Sequence, residues 1–232
     1  MLLLLGLLLT AWGCLNHQEL LPLEVTSEHR MVQALPGAPP ITLVRLPGGV
    51  NWWIGQFEIT REQWNAVVDL PRVENPLRRL DGGLGKLPAD SVTPREADEF
   101  CRRISSASGR RYRLPTEEEW ELAARGGVNS RYPWGDEFSP KMANCRTSSW
   151  MKAMPVGSFP PNGYDLFDVV GNTAEWCAKQ EGGQSKIRVA RGGSFVTTPS
   201  YCGWSSREES MTTVDGDQIP GAGFGLRVVL QL

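Results

Sequence analysis

Histidine is nearly missing from this chain: of 232 residues, only His17 and His29 are histidine. Both precede the region where regular patterning begins. That excludes mechanisms built on a histidine base, Ser-His-Asp and Cys-His nucleophiles included, and leaves no His-ligated zinc or iron centre. A charge imbalance is missing too: 24 Lys and Arg stand against 26 Asp and Glu, a formal charge of -2, so no basic field favours nucleic acid. There is no fixed-period repeat and no low-complexity tract. The one long apolar run, Met1 to Leu9, is shorter than the roughly 20 residues a membrane-spanning helix needs.

That run, followed by Thr10-Ala-Trp-Gly-Cys14, fits the apolar part of a signal peptide with a small-residue cleavage site, although no basic leader precedes it. The expectation is export to the periplasm, with 1–13 as signal, and Cys14 as either an ordinary residue or a lipidated first one. Residues 14–40 lack strong periodicity and end in the breaker cluster Pro36-Gly-Ala-Pro-Pro40, which predicts a linker. The domain is then expected over 41–232.

Glycine (25), proline (17) and tryptophan (9) are plentiful. Many turn formers with many large aromatics predict an irregular backbone pinned by buried indoles. Residues 41–46 and 52–59 read as strands, and 188–190 and 226–230 as further strands. Three helices are announced by Thr followed three residues later by Gln or Glu, at Thr60/Gln63, Thr93/Glu96 and Thr116/Glu119, the signature of a reciprocal cap. Residues 72–87 read as a long loop. If the chain is exported, Cys101, Cys145, Cys177 and Cys202 allow three full disulfide pairings, and the sequence chooses none. Cys101 falls on the apolar stripe of a predicted helix, as a buried thiol would.

In Val170-Gly-Asn-Thr-Ala-Glu-Trp176, the side-chain oxygens of Asn172 and Glu175 can converge with the carbonyls of Val170, Gly171 and Thr173. Such an oxygen-rich set suits calcium. The alternative is that Glu175 pairs with an arginine and Asn172 caps a turn. Arg191-Gly-Gly-Ser194 can either anchor a loop or offer Arg191 to a ligand carboxylate. Trp204 lies close to Arg207-Glu208-Glu209 and Asp215-Gly-Asp217, and Trp and Arg are enriched where protein interfaces concentrate their binding energy.

Taken in order, Tyr112-Arg-Leu-Pro-Thr-Glu-Glu-Glu-Trp120, the segment 170–176, Ala190-Arg-Gly-Gly-Ser-Phe195 and Tyr201-Cys202 resemble the formylglycine-generating-enzyme (sulfatase-modifying factor) family over 41–232. The resemblance implies an α+β fold of the C-type-lectin-like kind with few short helices and strands, much irregular loop and a cleft formed by C-terminal loops. It also implies calcium at the 170–176 segment. A second family calcium begins at an Ala-Asn pair matched by Ala143-Asn144, but 146–154 supplies no acid. The oxidases use two cysteines five residues apart, a thiolate pair apt for Cu(I). Here the first is Cys202 and the second position holds Arg207, a cation that cannot ligate a metal. No copper is therefore expected. The expectation is a non-catalytic binding protein whose former substrate cleft, with Cys202, Trp204, Arg207, Glu208, Arg191 and Ser194, takes a protein partner. The competing reading is an oxidase acting on a substrate cysteine. Size, export and the missing cysteine further resemble periplasmic regulators of type VI secretion, which act on the periplasmic part of a membrane-spanning Ser/Thr kinase. Membrane contact would then run only through that partner or through lipid on Cys14.

Overall fold

A computed structural model describes residues 20–73, 77, 79–80, 85–146, 151–179, 187–211 and 221–232. The expected signal peptide, Cys14 and Asp215-Gly-Asp217 lie outside them. Ten strands are present among the described residues: β1 Leu23–Ser27, β2 Arg30–Leu35, β3 Ala38–Arg45, β4 Trp52–Gly55, β5 Arg111–Arg113, β6 Ala174–Trp176, β7 Ile187–Gly192, β8 Gly203–Met211, β9 Phe224–Gly225 and β10 Val229–Gln231. Three helices accompany them: α1 Arg61–Val68, α2 Pro94–Ser108 and α3 Glu117–Arg125. The strands form a six-stranded sheet in the order β1-β2-β3-β4-β10-β5 and a four-stranded sheet in the order β8-β7-β6-β9. This is the expected α+β architecture. No helix among the described residues is long and apolar enough to cross a membrane.

All three helices start where the capping boxes place them. Thr60, Thr93 and Thr116 each accept from the backbone N–H three residues on, and Gln63, Glu96 and Glu119 each accept from the cap N–H in return. Two otherwise orphaned amides are satisfied per helix. Gly109 and Gly126 end α2 and α3 in the left-handed region, where the absence of a Cβ removes the steric penalty.

The expected linker over 14–40 is overturned for its second part. Residues 23–35 form the hairpin of β1 and β2, and β2 pairs with β3. Pro36 and Gly37 supply the turn between β2 and β3, with Gly37 at φ +64°. The physical reason is alternation: Met31, Gln33 and Leu35 are buried while their neighbours are not, so the strand has a face to place on the core. Pro39 and Pro40 are compatible with β3 because their carbonyls remain acceptors, both for the Gln63 amide. The strand expected over 52–59 stops at Gly55, and the one expected over 226–230 shifts to Val229–Gln231.

Two apolar cores result. The first lies under α1 and α2, where the rings of Trp64 and Phe100 stack 5.4 Å apart beside Ile59 and Ile104. The second gathers Trp52, Ile54, Trp120 and Tyr132 with Cys145 and Cys202. Burying an aromatic of this size removes about 150–250 Å² from water, several kcal/mol at roughly 25 cal/mol per Å². Trp64, Trp120 and Trp176 are the largest fully buried side chains, so the indoles do pin the irregular backbone.

Candidate functional site

The segment 170–176 turns sharply, with Gly171 at φ +75° and Asn172 at φ +59°. Its polar side chains are engaged inside the protein. Asn172 Oδ1 accepts from Met154 N–H at 2.8 Å and from the Asn144 amide at 3.2 Å, while its own amide donates to Glu58 Oε2 at 2.6 Å. Thr173 donates its N–H and its hydroxyl to Glu58 Oε1. The Asn172 carbonyl receives Phe195 N–H.

Glu175 is held more firmly still. Arg227 Nη2 donates to its Oε1 at 2.6 Å, Arg227 Nε to its Oε2 at 2.9 Å, and the Trp120 indole to Oε2 at 2.6 Å. Arg227 also donates to the carbonyls of Gly55 and Phe167. Both partners are 1% exposed. Burial and the neighbouring acids Asp168 and Glu175 hold the Glu58 carboxyl well above its ordinary range. Burial pushes Asp168 up to about 6.

A guanidinium stands beside Glu175 where a cation would, and Asn172 Oδ1 already accepts from two protein donors, so these two side chains as arranged here do not fit a calcium ion. Glu175 pairing with an arginine and Asn172 ordering a turn is the arrangement found.

The cleft lies elsewhere, on the end strand β8. It encloses about 560 Å³, and Cys202, Arg207 and Glu208 line it together with Tyr201, Arg146 and Thr197. The 3-10 turn Pro199–Tyr201 leads into it. Arg207 projects from β8 with its side chain 44% exposed and donates to Glu117 Oε2 at 2.9 Å, in the first turn of α3. Glu208 accepts from Thr197 Oγ1 at 3.0 Å, and burial raises its pKa. Tyr201 is 70% exposed.

Three residues expected in the cleft stand apart from its lining. Ser194 is buried and reaches the lining through Thr197, whose hydroxyl lies 3.0 Å away, and through its carbonyl, which accepts from the Cys202 thiol. Arg191, directly across the sheet from Arg207, is buried under α3 and donates to Glu121 Oε2 at 2.7 Å. Trp204 packs its ring under the Arg125 guanidinium, 3.9 Å away, and donates to the Ser130 carbonyl. Arg191 and Trp204 are thus taken by α3 and the segment that follows it, whose charges the sequence placed far from the Arg-Gly-Gly motif.

The sequence leaves one neighbour of Cys202 unchosen among the possible pairings. The thiol of Cys145 hydrogen-bonds that of Cys202, and this contact together with burial pushes the Cys202 thiol far above its usual range. Cys145 was visible after Ala143-Asn144, but nothing local joins it to Cys202.

Comparison with known proteins gives the family. Residues 26–232 match the sulfatase-modifying factor enzyme 1-like domain. The chain belongs to that family. Among curated relatives of the family, the inactive C-alpha-formylglycine-generating enzyme 2 of Bos taurus is 37% identical over 154 residues, covering 61% of this chain and 48% of the relative. The formylglycine-generating enzyme of Streptomyces coelicolor is 36% identical over 194 residues, covering 71% of this chain and 57% of the relative. The chain thus spans about half the length of the curated relatives it matches, and the family contains members named as inactive and members named as enzymes. Among solved structures, Treponema denticola variable protein 1 superposes with a TM-score of 0.64 over 90% of this chain and 98% of that one. At 23% identity that likeness shows the fold alone.

Proposed function

We propose that this chain is a non-catalytic member of its family that binds an extended segment of a protein partner along the end strand β8. The observation that carries this reading is Arg207. It stands at the position where the resemblance puts the second reactive cysteine, lines the cleft, and is held by Glu117 with nearly half its side chain exposed. A guanidinium there supplies directed donors for a carboxylate or a carbonyl and no ligand for a soft metal.

The cleft's other features support the same use. Among the described residues β8 is the last strand of its sheet, and an extended peptide can add to such an edge through main-chain hydrogen bonds while its side chains enter the flanking pocket. Tyr201 offers an exposed aromatic and Arg146 a second exposed cation. The finer reading is a periplasmic regulator: after export, the cleft receives the periplasmic part of a membrane-spanning Ser/Thr kinase and promotes the threonine phosphorylation pathway of type VI secretion. That reading rests on the resemblance carried by size, leader and the missing cysteine.

The test pairs binding with chemistry. Wild-type chain and Arg207→Glu are titrated with the purified periplasmic domain of such a kinase, and the wild type is incubated with a cysteine-containing sulfatase peptide, Cu(I) and oxygen. Expected are saturable binding weakened at least about tenfold by charge reversal, about 1.4 kcal/mol, and no aldehyde. Unchanged binding by Arg207→Glu rejects the cleft as the partner site, and aldehyde formation rejects the non-catalytic reading.

A further inference from the structure

The structure holds Cys101, Cys145, Cys177 and Cys202 as buried thiols, and it brings two of them together. Cys145 follows Asn144, which bridges to Gly171; Cys202 ends the turn Pro199–Tyr201. The loops that carry them are fastened to common points. Asn172 N–H donates to the Asn144 carbonyl at 2.8 Å, and Arg146 N–H to the Thr197 carbonyl at 2.9 Å. The Cys202 thiol is directed at that same Thr197 carbonyl, 3.6 Å away.

Glycines close the chamber on both sides. A Cβ on Gly171 would meet Cys145 Sγ at 2.9 Å, and one on Gly193 would meet Cys202 Sγ at 2.7 Å. Only residues without a side chain let the backbone lie this close to each sulfur. By contrast, the charged groups that act on Cys101 and Cys177 are Asp, Glu and Arg side chains, with no second cysteine among them.

The two residues differ slightly in access: Cys202 is 3% exposed and Cys145 not at all. Cys202 lines the 560 Å³ cleft. Cys145 lies behind it, with no exposed surface.

We propose that Cys145 and Cys202 are a thiol–disulfide pair, with Cys202 the entry sulfur and Cys145 the resolving one, oxidised by a disulfide-bearing reagent that reaches the cleft. The Cys202 sulfur, after losing its proton, attacks one sulfur of the incoming disulfide and releases the other as a thiol. Cys145 then gives up its proton and attacks the Cys202 sulfur of the mixed disulfide, expelling the second thiol. Two protein thiols are oxidised to one bond, and one external disulfide is reduced to two thiols. Closing the bond brings the two sulfurs to about 2.05 Å.

The surroundings set the character of the bond. Because Cys202 is kept protonated by its neighbour and by burial, it attacks slowly and leaves slowly. The bond forms slowly and then persists, which marks a lasting cross-link rather than a rapidly cycling catalyst. It also gives Cys202 a sulfur partner from the buried side, where Arg207 cannot supply one from the cleft. Closing it fastens the 143–146 loop to the cleft wall that carries Tyr201.

The test uses the full chain, reduced and then equilibrated with mixtures of reduced and oxidised glutathione. Alkylation, tryptic digestion and mass mapping follow. Cleavage after Lys141, Arg146, Arg191 and Arg207 puts Cys145 in 142–146 and Cys202 in 192–207, apart from the peptides of Cys101 and Cys177. Expected is a cross-linked pair of 142–146 with 192–207, loss of alkylation at both cysteines, and recovery of both after reduction with dithiothreitol. In Cys145→Ser, glutathione should accumulate on Cys202, whereas in Cys202→Ser Cys145 should stay unmodified over the same time. Persistent alkylation of Cys145 and Cys202 at the most oxidising poise, or a cross-link through Cys101 or Cys177, overturns the proposal. The wild-type mapping decides this even where a variant fails to fold.

Discussion

Replacing Glu175 with Gln tests the central reading of the 170–176 segment, that it is a buried ion pair and not a cation site. The carboxylate receives three guanidinium N–H bonds of 2.6 to 3.1 Å counting its closest contacts with Arg227, and the Trp120 indole as well. Two unit charges about 4 Å apart attract by about 4 kcal/mol at an effective dielectric near 20. Glutamine keeps the shape and one acceptor but turns an NH₂ group towards guanidinium donors. Breaking one partner of a buried pair costs about 3–5 kcal/mol because the other charge is stranded. Here Glu58 and Asp168 stand close enough to act on Arg227, and their ionisation offsets part of the loss, so the low end, about 3 kcal/mol, is expected. For a domain of this size that is a fall in Tm of about 6–12 °C. Urea unfolding of wild type and Glu175→Gln should show a lower midpoint with an unchanged slope, and the difference should be the same with and without calcium. A loss below about 1 kcal/mol, or a calcium-dependent gain seen in wild type alone, would refute the reasoning.

Two further outcomes can be stated from the same structure. Asp168 titrates near 6 in the folded chain against an ordinary 3.8. Its contribution is therefore fully present below the ordinary value and lost as pH rises through about 6, a decline of up to about 3 kcal/mol. Asp168→Asn, which keeps an acceptor for Gly157 N–H, should flatten stability between pH 4 and 7 and be the more stable protein at pH 8; chemical unfolding across pH checks this. Thr116→Ala removes one half of the α3 capping box and should cost about 1 kcal/mol, read by thermal unfolding, while Thr116→Ser should restore most of it.

What the sequence revealed and what it hid divide by the range of the interactions. The three capping boxes span three residues each, so their chemistry is complete within a short window and every helix began where expected. Cys202, Arg207 and Glu208 were placed in the cleft because they share one strand and the turn before it. The choice between a calcium site and an ion pair at 170–176 was not legible for the opposite reason. Asn172 and Glu175 present the same local oxygens whether they face a cation from solvent or one from the chain, and the cation that settles the matter, Arg227, lies 52 residues downstream of Glu175. Arg191 and Trp204 were drawn away by Glu121 and Arg125, on a helix whose docking no local pattern announces. The β2–β3 hairpin was hidden by Pro36 and Gly37, which punctuate a hairpin and a linker alike.

The placement of Arg207 has a consequence for how such a domain changes its task. It sits on a sheet's end strand, and its ion pair with Glu117 is of the half-exposed kind worth about 0–1 kcal/mol. The scaffold's stability resides elsewhere, in the indoles and in the Arg227 clasp. A single codon change at this position can therefore exchange a thiol for a guanidinium with little disturbance to folding. On the proposed function, a reactive thiol and a partner-binding guanidinium are then alternative loads on one frame.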